Sequence, residues 1–153
     1  MSSPPADMEQ ASPDVQARIR ASFGKQGLMR HLGAQLGHIG RGRVHILLTR
    51  RPEITQQHGY VHAGASSAIA DSAGGYAAIT MLEPGNEVLT VEYKINLLAP
   101  AGGDQLEAIG TVIKTGRTLT VCQLEVFARD ATGRSLVAVG QQTLIRVSPP
   151  PMP

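Results

Sequence analysis

The sequence predicts an α+β domain in which a curved antiparallel sheet wraps one long central helix. Residues 63–78 are alanine, glycine or serine at thirteen of sixteen positions, which suits a helix packed closely against other backbone. Four strand-like runs, separated by turn sequences, follow this segment. With 153 residues, the chain is long enough for one domain with a buried core and too short for two catalytic domains.

The first elements predicted are a flexible tail at residues 1–12 and a short helix at residues 12–24. Ser12 and Pro13 are typical of a helix N-cap and of the first helical position. The apolar side chains of this helix repeat every four residues, at Val15, Ile19 and Phe23. The folded domain is therefore predicted to span residues 13–147.

A first strand is predicted within residues 33–49, because apolar residues alternate along its second half. Pro52 ends it, and residues 52–62 are predicted as a loop. The central helix follows at residues 63–81. Gly74 and Gly75 in its middle each cost about 1 kcal/mol of helix propensity, so only close packing against another element explains them.

The last four strands are predicted to form an antiparallel meander. Residues 100–103, 115–117 and 130–133 are hairpin-type turn sequences between them. On the first of these strands, polar residues alternate with apolar ones from Thr90 to Leu97, which predicts two distinct faces. A proline-rich tail is predicted at residues 148–153. The predicted strands are residues 87–98, 104–115, 118–129 and 135–147.

Composition excludes several classes of protein. The chain has 14 basic and 12 acidic residues, a formal charge of +2, and only 3% aromatic residues, so it lacks the field and the stacking surface for nucleic acid. A single cysteine, Cys122, permits no internal disulfide or cysteine-based zinc site. The sequence has no apolar run long enough for a membrane span and no basic, apolar leader. We therefore expect a cytoplasmic protein with no nucleic-acid or membrane partner.

Residues 56–71 carry the candidate chemistry. A helix that begins near Ala63 directs free amide donors toward whatever lies beside His62. An acyl carbonyl placed there, such as that of a thioester, would be stabilised as negative charge develops on its oxygen. Asp71 lies two turns along the same helix among small side chains, and a carboxylate in that position requires an explanation.

Structural explanations for these residues remain open at this point. Asp71 could hydrogen-bond a neighbouring strand, and His62 could be a hydrogen-bonded group at a loop-to-helix junction. His58 and His62 have the spacing of a metal pair only if they share a helix, which Gly59 argues against. Cys122 has no identifiable base beside it and is interpreted as a core residue.

Three segments together resemble the PaaI-type acyl-CoA thioesterases of the hotdog-fold superfamily. They are residues 61–78, which begin VHAG and contain Asp71, residues 88–101, which read VLTVEYKINLLAPA, and residues 114–119, KTGRTL. The resemblance covers residues 35–147. It implies a sheet wrapped around a central helix and a thioester hydrolase acting on a small or medium acyl-CoA or aryl-CoA.

The resemblance also implies roles for individual residues. In similar enzymes a His-Gly-Gly motif opens the helix; His62 matches its histidine and Ala63 matches its first glycine. The amide of Ala63 would polarise the thioester carbonyl. Asp71 would be the general base or nucleophile, Gln56 would orient the water or the carbonyl, and Thr90 would position the water. Gly116, Arg117 and Thr118 would lie near the nucleotide of coenzyme A. Neither a metal nor a cofactor is implied, since coenzyme A is part of the substrate.

Similar enzymes are homodimers or homotetramers with active sites shared between chains, and we expect the same here. Two other functions stay open. A hotdog hydratase or dehydratase would use His62 to move protons, but the chain lacks an Asp-x-Asn-Pro-like segment. A non-catalytic acyl-CoA sensor would not need Gln56, Asp71 and Thr90 together.

Overall fold

In the part of the chain that the computed structural model describes, residues 9–148, a six-stranded antiparallel sheet curves around one long helix. A 3-10 turn, Pro52–Ile54, lies between the second strand and the long helix. The predicted α+β class is confirmed. The helices are α1 (Pro13–Phe23), α2 (Gly27–Leu32) and α3 (Ala63–Ile79). The strands are β1 (Gln35–Gly40), β2 (Arg43–Thr49), β3 (Glu87–Leu97), β4 (Gln105–Thr115), β5 (Leu119–Asp130) and β6 (Gly133–Val147).

The order of strands in the sheet is β1-β2-β4-β5-β6-β3. Strands β4, β5 and β6 form the predicted meander, but the prediction that β3 belongs to it is wrong. β3 pairs with β6 at the far edge, and the presumed hairpin turn at residues 100–103 is part of a crossover. β4 lies between β2 and β5 and pairs with both, so neither edge of β4 is left for a hairpin with β3.

The prediction of one strand across residues 33–49 is also wrong. Gly33, with φ of 76°, ends α2, and Gly42, with φ of 73°, turns the chain between β1 and β2. Glycine adopts this left-handed backbone without strain. The alternation of apolar residues therefore predicts β2 alone. The inward side chains of β2 are fully buried. These are Val44, Ile46 and Leu48.

The predicted tail, residues 1–12, is too long, because its last residues belong to the fold. Gln10 pairs with Gly40 of β1, and the Ala11 amide donates to the carbonyl of Ile39 at 2.8 Å. Ala11 is buried. The rest of the predicted tails, residues 1–8 and 149–153, lies outside the described residues.

Helix α1 begins as predicted and supports the end of α3. The Ser12 hydroxyl accepts a hydrogen bond from the amide of Val15. Arg18 on α1 donates from Nη2 to the carbonyls of Ile79 and Leu82, at 2.8 and 3.0 Å. These carbonyls lie at and just beyond the C-terminus of α3, where a cation also complements the helix dipole. Arg18 therefore has a structural role in holding α1 to the end of α3.

Helix α3 lies so close to the sheet that no side chain fits between them at its middle. A Cβ on Gly110 of β4 would overlap the backbone of Ala73 and Gly74. A Cβ on Gly74 would overlap the side-chain oxygen of Gln142 and lie 2.7 Å from Cδ2 of Leu124. The small residues of the helix therefore set its distance from the sheet. Along α3, Ala70, Ala73, Ala77 and Ala78 are completely buried.

The opposite face of the sheet carries a buried ion pair. His45 Nδ1 lies 2.9 Å from Glu107 Oε1, and Glu107 Oε2 lies 3.6 Å from Arg129 and 3.5 Å from Arg134. Glu107 is 8% exposed. The hydrogen bond from His45 is the largest cause and lowers the pKa of Glu107 below its usual 4.5. Burial acts in the opposite direction, and the charges of His45, Arg129 and Arg134 add to the lowering.

The two adjacent glycines of α3 should respond oppositely to the same substitution. Gly74→Ala should lower the free energy of unfolding by at least about 2 kcal/mol, because the methyl group meets Gln142 and Leu124. Gly75→Ala is the matched control. Its Cβ meets only Leu144 Cδ2 at 3.9 Å, so the helix propensity of alanine should stabilise it by about 0.5 to 1 kcal/mol. Urea unfolding measures both, and equal effects would contradict the close approach.

Glu107 should make stability sensitive to acid. A carboxylate with a lowered pKa in the folded state stabilises the fold above pH 4.5, and this contribution disappears as the pH falls below that value. Between pH 5 and about pH 3, the melting temperature of the wild type should therefore fall more steeply than that of Glu107→Gln. Parallel melting curves over this range would show that the carboxylate contributes nothing.

Candidate active site

The N-terminus of α3 presents one free amide. His62 is the N-cap, and its Nδ1 accepts a hydrogen bond from Gly64 N at 2.8 Å. The amides of Ala65 and Ser66 donate to the His62 carbonyl at 2.9 and 3.2 Å. Within residues 9–148, the amide of Ala63 has no hydrogen-bond acceptor. His62 thus has the structural role considered above, and Ala63 N–H remains available to a ligand.

Gln56 lies in the loop before α3 with its side chain held at one end. Its Oε1 accepts a hydrogen bond from the amide of His58, and its backbone amide donates to the carbonyl of Tyr60 at 2.9 Å. The side-chain NH2 therefore faces away from this turn and is available as a donor. His58 lies in this turn and not on α3, so the two histidines do not share a helix.

A cavity of about 620 Å³ joins these groups. Gln56, His62 and Ala63 line it together with the end of β3 and part of β6. Most of the remaining wall is apolar, including Leu97 and Val137. We call it the amide cavity. It combines an apolar volume of ligand size with two polar donors, a common composition of a binding pocket.

Asp71 lies elsewhere on α3, in contact with β3 and β6. Thr90 donates its hydroxyl proton to Asp71 Oδ1 at 2.7 Å, and Gln142 Nε2 lies 2.7 Å from the same oxygen. Gln142 Nε2 also lies 3.0 Å from Thr90 Oγ1 and 3.1 Å from the Asp71 carbonyl. In the described part of the chain, Oδ2 of Asp71 has no hydrogen-bond donor.

A β-bulge brings Thr90 to Asp71. The register of β3 against β6 shifts between Thr90 and Glu92, so Thr90 and Tyr93 both pair with inward-facing residues of β6. The strict alternation predicted for this strand, which placed Thr90 with Glu92, Lys94 and Asn96, is therefore wrong at the bulge. Without it, the hydroxyl would face away from the helix.

Asp71 and Thr90 line a second cavity, of about 490 Å³. We call it the carboxylate cavity. The link between α1 and α2 contributes Lys25 and Gln26 to its wall. Gln26 bonds to the hydroxyls of Tyr76 and Ser72, at 2.9 and 3.2 Å. Neither Gln56 nor Ala63 lines this cavity, so one chain does not bring the predicted donors and the predicted acid together.

The predicted nucleotide-contact residues form the β4–β5 turn. Gly116 N donates to the Leu119 carbonyl at 2.7 Å, and Thr118 O accepts from Arg146 N at 2.8 Å. Arg117 is exposed. Because Thr120, Leu144 and Thr90 lie in register across β5, β6 and β3, this turn lies at the same end of the sheet as the carboxylate cavity.

Cys122 is a core residue, as interpreted from the sequence. It is completely buried, and its Sγ lies 3.5 Å from the Gly74 carbonyl. Burial raises the pKa of the Cys122 thiol to about 12, so the thiolate needed for nucleophilic attack is scarce at neutral pH.

Residues 58–134, half of the chain, match the thioesterase superfamily. The chain belongs to this family. A thioesterase family protein from Silicibacter pomeroyi is 38% identical, with a TM-score of 0.85 over 88% of this chain and 99% of that one. The 1,4-dihydroxy-2-naphthoyl-CoA hydrolase of Listeria monocytogenes is 25% identical over 100 residues, which cover 65% of this chain and 81% of the relative.

The PaaI protein of E. coli shares the fold, with a TM-score of 0.80 over 90% of this chain and 96% of that one, at 21% identity. The resemblance to PaaI-type hotdog thioesterases is therefore confirmed, and the family identifies the chain as a thioester hydrolase. Among residues 9–148, no helix is long and apolar enough to cross a membrane.

The sequence reasoning missed Gln142. It is completely buried and contacts both Asp71 and Thr90. A signal was present, because Gln142 has the same inward phase on β6 as Ala138, Gly140 and Leu144, and a polar residue in an inward position needs a partner.

Proposed function

We propose that this thioesterase hydrolyses a small or medium acyl-CoA or aryl-CoA to the free acid and coenzyme A, in a site made by two copies of the chain. The observation that carries the proposal is the hydrogen bonding of Asp71, which lines the carboxylate cavity. One carboxylate oxygen accepts from two donors, while the other has no donor among the described residues. An anchored carboxylate with one open oxygen is suited to accept a proton from water or to attack a carbonyl.

The reaction has two requirements that the chain meets with different groups. As oxygen attacks the thioester carbon, negative charge develops on the carbonyl oxygen, and the Ala63 amide and the Gln56 NH2 are free donors for it. When Asp71 acts as base, Oδ2 takes a proton from the attacking water. The carbon–sulfur bond then breaks and the thiolate of coenzyme A leaves. This route requires no metal or cofactor.

These two sets of groups need a second copy of the chain to meet. Within residues 9–148, β3 is an edge strand of eleven residues that pairs only with β6, and two of its apolar side chains are exposed, Leu89 at 55% and Val91 at 54%. Such an edge favours pairing with another strand. Antiparallel pairing of β3 with its own copy sets the Glu87 end of one strand beside the Leu97 end of the other.

That pairing would join the two cavities. Thr90, near one end of β3, lines the carboxylate cavity, and Leu97, at the other end, lines the amide cavity. The two-fold arrangement therefore sets the carboxylate cavity of one copy against the amide cavity of the other. Gln56, His62 and Ala63 of one chain would then face Asp71 and Thr90 of its partner, in a dimer or a tetramer of such dimers.

Two further parts of the proposal depend on the sequence. Arg117 in the β4–β5 turn is proposed to contact the phosphates of coenzyme A, since guanidinium groups bind phosphate strongly and the turn lies at the carboxylate-cavity end of the sheet. A cytoplasmic location is also part of this proposal.

The wild type should release thiol steadily from at least one member of a panel of acyl-CoA and aryl-CoA thioesters, measured with a thiol reagent. Asp71→Asn should reduce kcat by at least about 100-fold while folding is retained, because the amide keeps the shape and removes the base. Stoichiometric binding without thiol release would instead support the sensor alternative. Near-normal turnover by Asp71→Asn would remove Asp71 from the mechanism.

Mixing two inactive variants should restore activity if the site is shared. A mixed dimer of Gln56→Ala and Asp71→Asn subunits contains one doubly altered site and one intact site. Equal amounts, reassembled at random, should recover up to about a quarter of the wild-type rate. Each variant alone, carried through the same unfolding and reassembly, is the control. Failure to recover activity in proven mixed dimers would place each site within one chain.

A further inference from the structure

Gln142 of β6 reaches the middle of α3, next to Asp71 and Gly74. On β6 it pairs with Tyr93 of β3 on one side and Cys122 of β5 on the other. Its side chain is completely buried and lines neither the amide cavity nor the carboxylate cavity. Any effect of Gln142 on catalysis is therefore exerted through its neighbours and not by touching a substrate.

The chemistry of its neighbours settles how the Gln142 amide is oriented. Asp71 Oδ1 and the Asp71 carbonyl oxygen can only accept hydrogen bonds from it, so the group beside them is the NH2. Its carbonyl oxygen points at Gly74, where a Cβ would overlap it. In the described residues this oxygen has no donor. An unpaired buried acceptor is unfavourable, so the amide is kept here at a cost to stability.

The Gln142 NH2 and the Thr90 hydroxyl meet at the Asp71 carboxylate. The two N–H groups of Gln142 are shared among three acceptors, which are Asp71 Oδ1, the Asp71 carbonyl and Thr90 Oγ1. Because a carboxylate oxygen can only accept, the single proton of Thr90 is directed to Asp71 Oδ1 at 2.7 Å. Oδ1 then has two donors and the carboxylate cannot rotate without losing both. Oδ2 is the oxygen left to react.

We infer that Gln142 is a positioning residue for thioester hydrolysis, which holds the Asp71 carboxylate and the Thr90 hydroxyl so that Oδ2 of Asp71 faces the carboxylate cavity. The inference rests on the proposed function. It extends that function by naming the group that selects the reactive oxygen.

Gln142→Met tests the inference, because methionine keeps the length of the side chain and removes the donor. We expect kcat to fall by about tenfold or more while KM changes by less than about twofold, since Gln142 touches no substrate. The matched control is Cys122→Ala, which alters the neighbouring buried position on β5 and leaves Asp71 untouched. It should keep the wild-type kcat. If Gln142→Met does not fold, Gln142→Leu replaces it in the same comparison.

A double variant separates positioning from packing. If Gln142 acts through the Thr90–Asp71 pair, then Gln142→Met combined with Thr90→Val should lose less activity than the product of the two single losses. A purely structural role predicts instead that the single variant loses thermal stability and active fraction, with kcat per folded site unchanged, as for Cys122→Ala. That result, or independent and multiplicative losses, would overturn the inference.

The outcome also distinguishes the inference from the function on which it rests. A wild type that releases no thiol from any thioester overturns the proposed function, and the inference with it. A wild type that turns over, with Gln142→Met equally active, overturns the inference alone.

Discussion

The structure depends on how closely α3 approaches the sheet. At Gly110 the backbone of β4 touches the backbone of α3, and no side-chain atom fits between them. Dense packing of backbone on backbone requires residues without side chains, and the helix supplies them at the cost of its own propensity. The sheet then curves around the helix, and α1 packs against this unit. Arg18 of α1, for example, reaches the C-terminal carbonyls of α3.

The same close approach organises the polar groups of the site. The amide of Gln142 occupies the space that a side chain on Gly74 would fill, one turn from Asp71. Because helix and strands are so close, a carboxylate on α3, a hydroxyl on β3 and an amide on β6 lie within direct hydrogen-bond distance of one another. A bulkier helix would separate these groups and leave a half-buried carboxylate without donors, which is unfavourable.

The division of the chemistry between two cavities follows from the length of α3. Ala63 is at its N-terminus and Asp71 is eight residues further on, a rise of roughly 12 Å along the helix axis. The proposed donors at one end and the proposed base in the middle are too far apart to act on one carbonyl carbon within a single chain. The exposed edge strand β3 supplies a physical means to overcome this separation, since it runs past both cavities and has one unpaired side.

The sequence by itself determined the fold class, the central helix and β4 to β6, because small-residue composition, alternation and turn residues are local signals. The position of β3 at the far edge, the β1–β2 hairpin and the bulge at Thr90 were decided by tertiary structure. Strand order depends on which backbone groups still need partners, and a bulge reverses which face a residue occupies without changing its residue type. For the same reason, the candidate residues Asp71 and Thr90 could be named from sequence motifs, whereas their contact with Gln142, 71 residues from Asp71, required the folded chain.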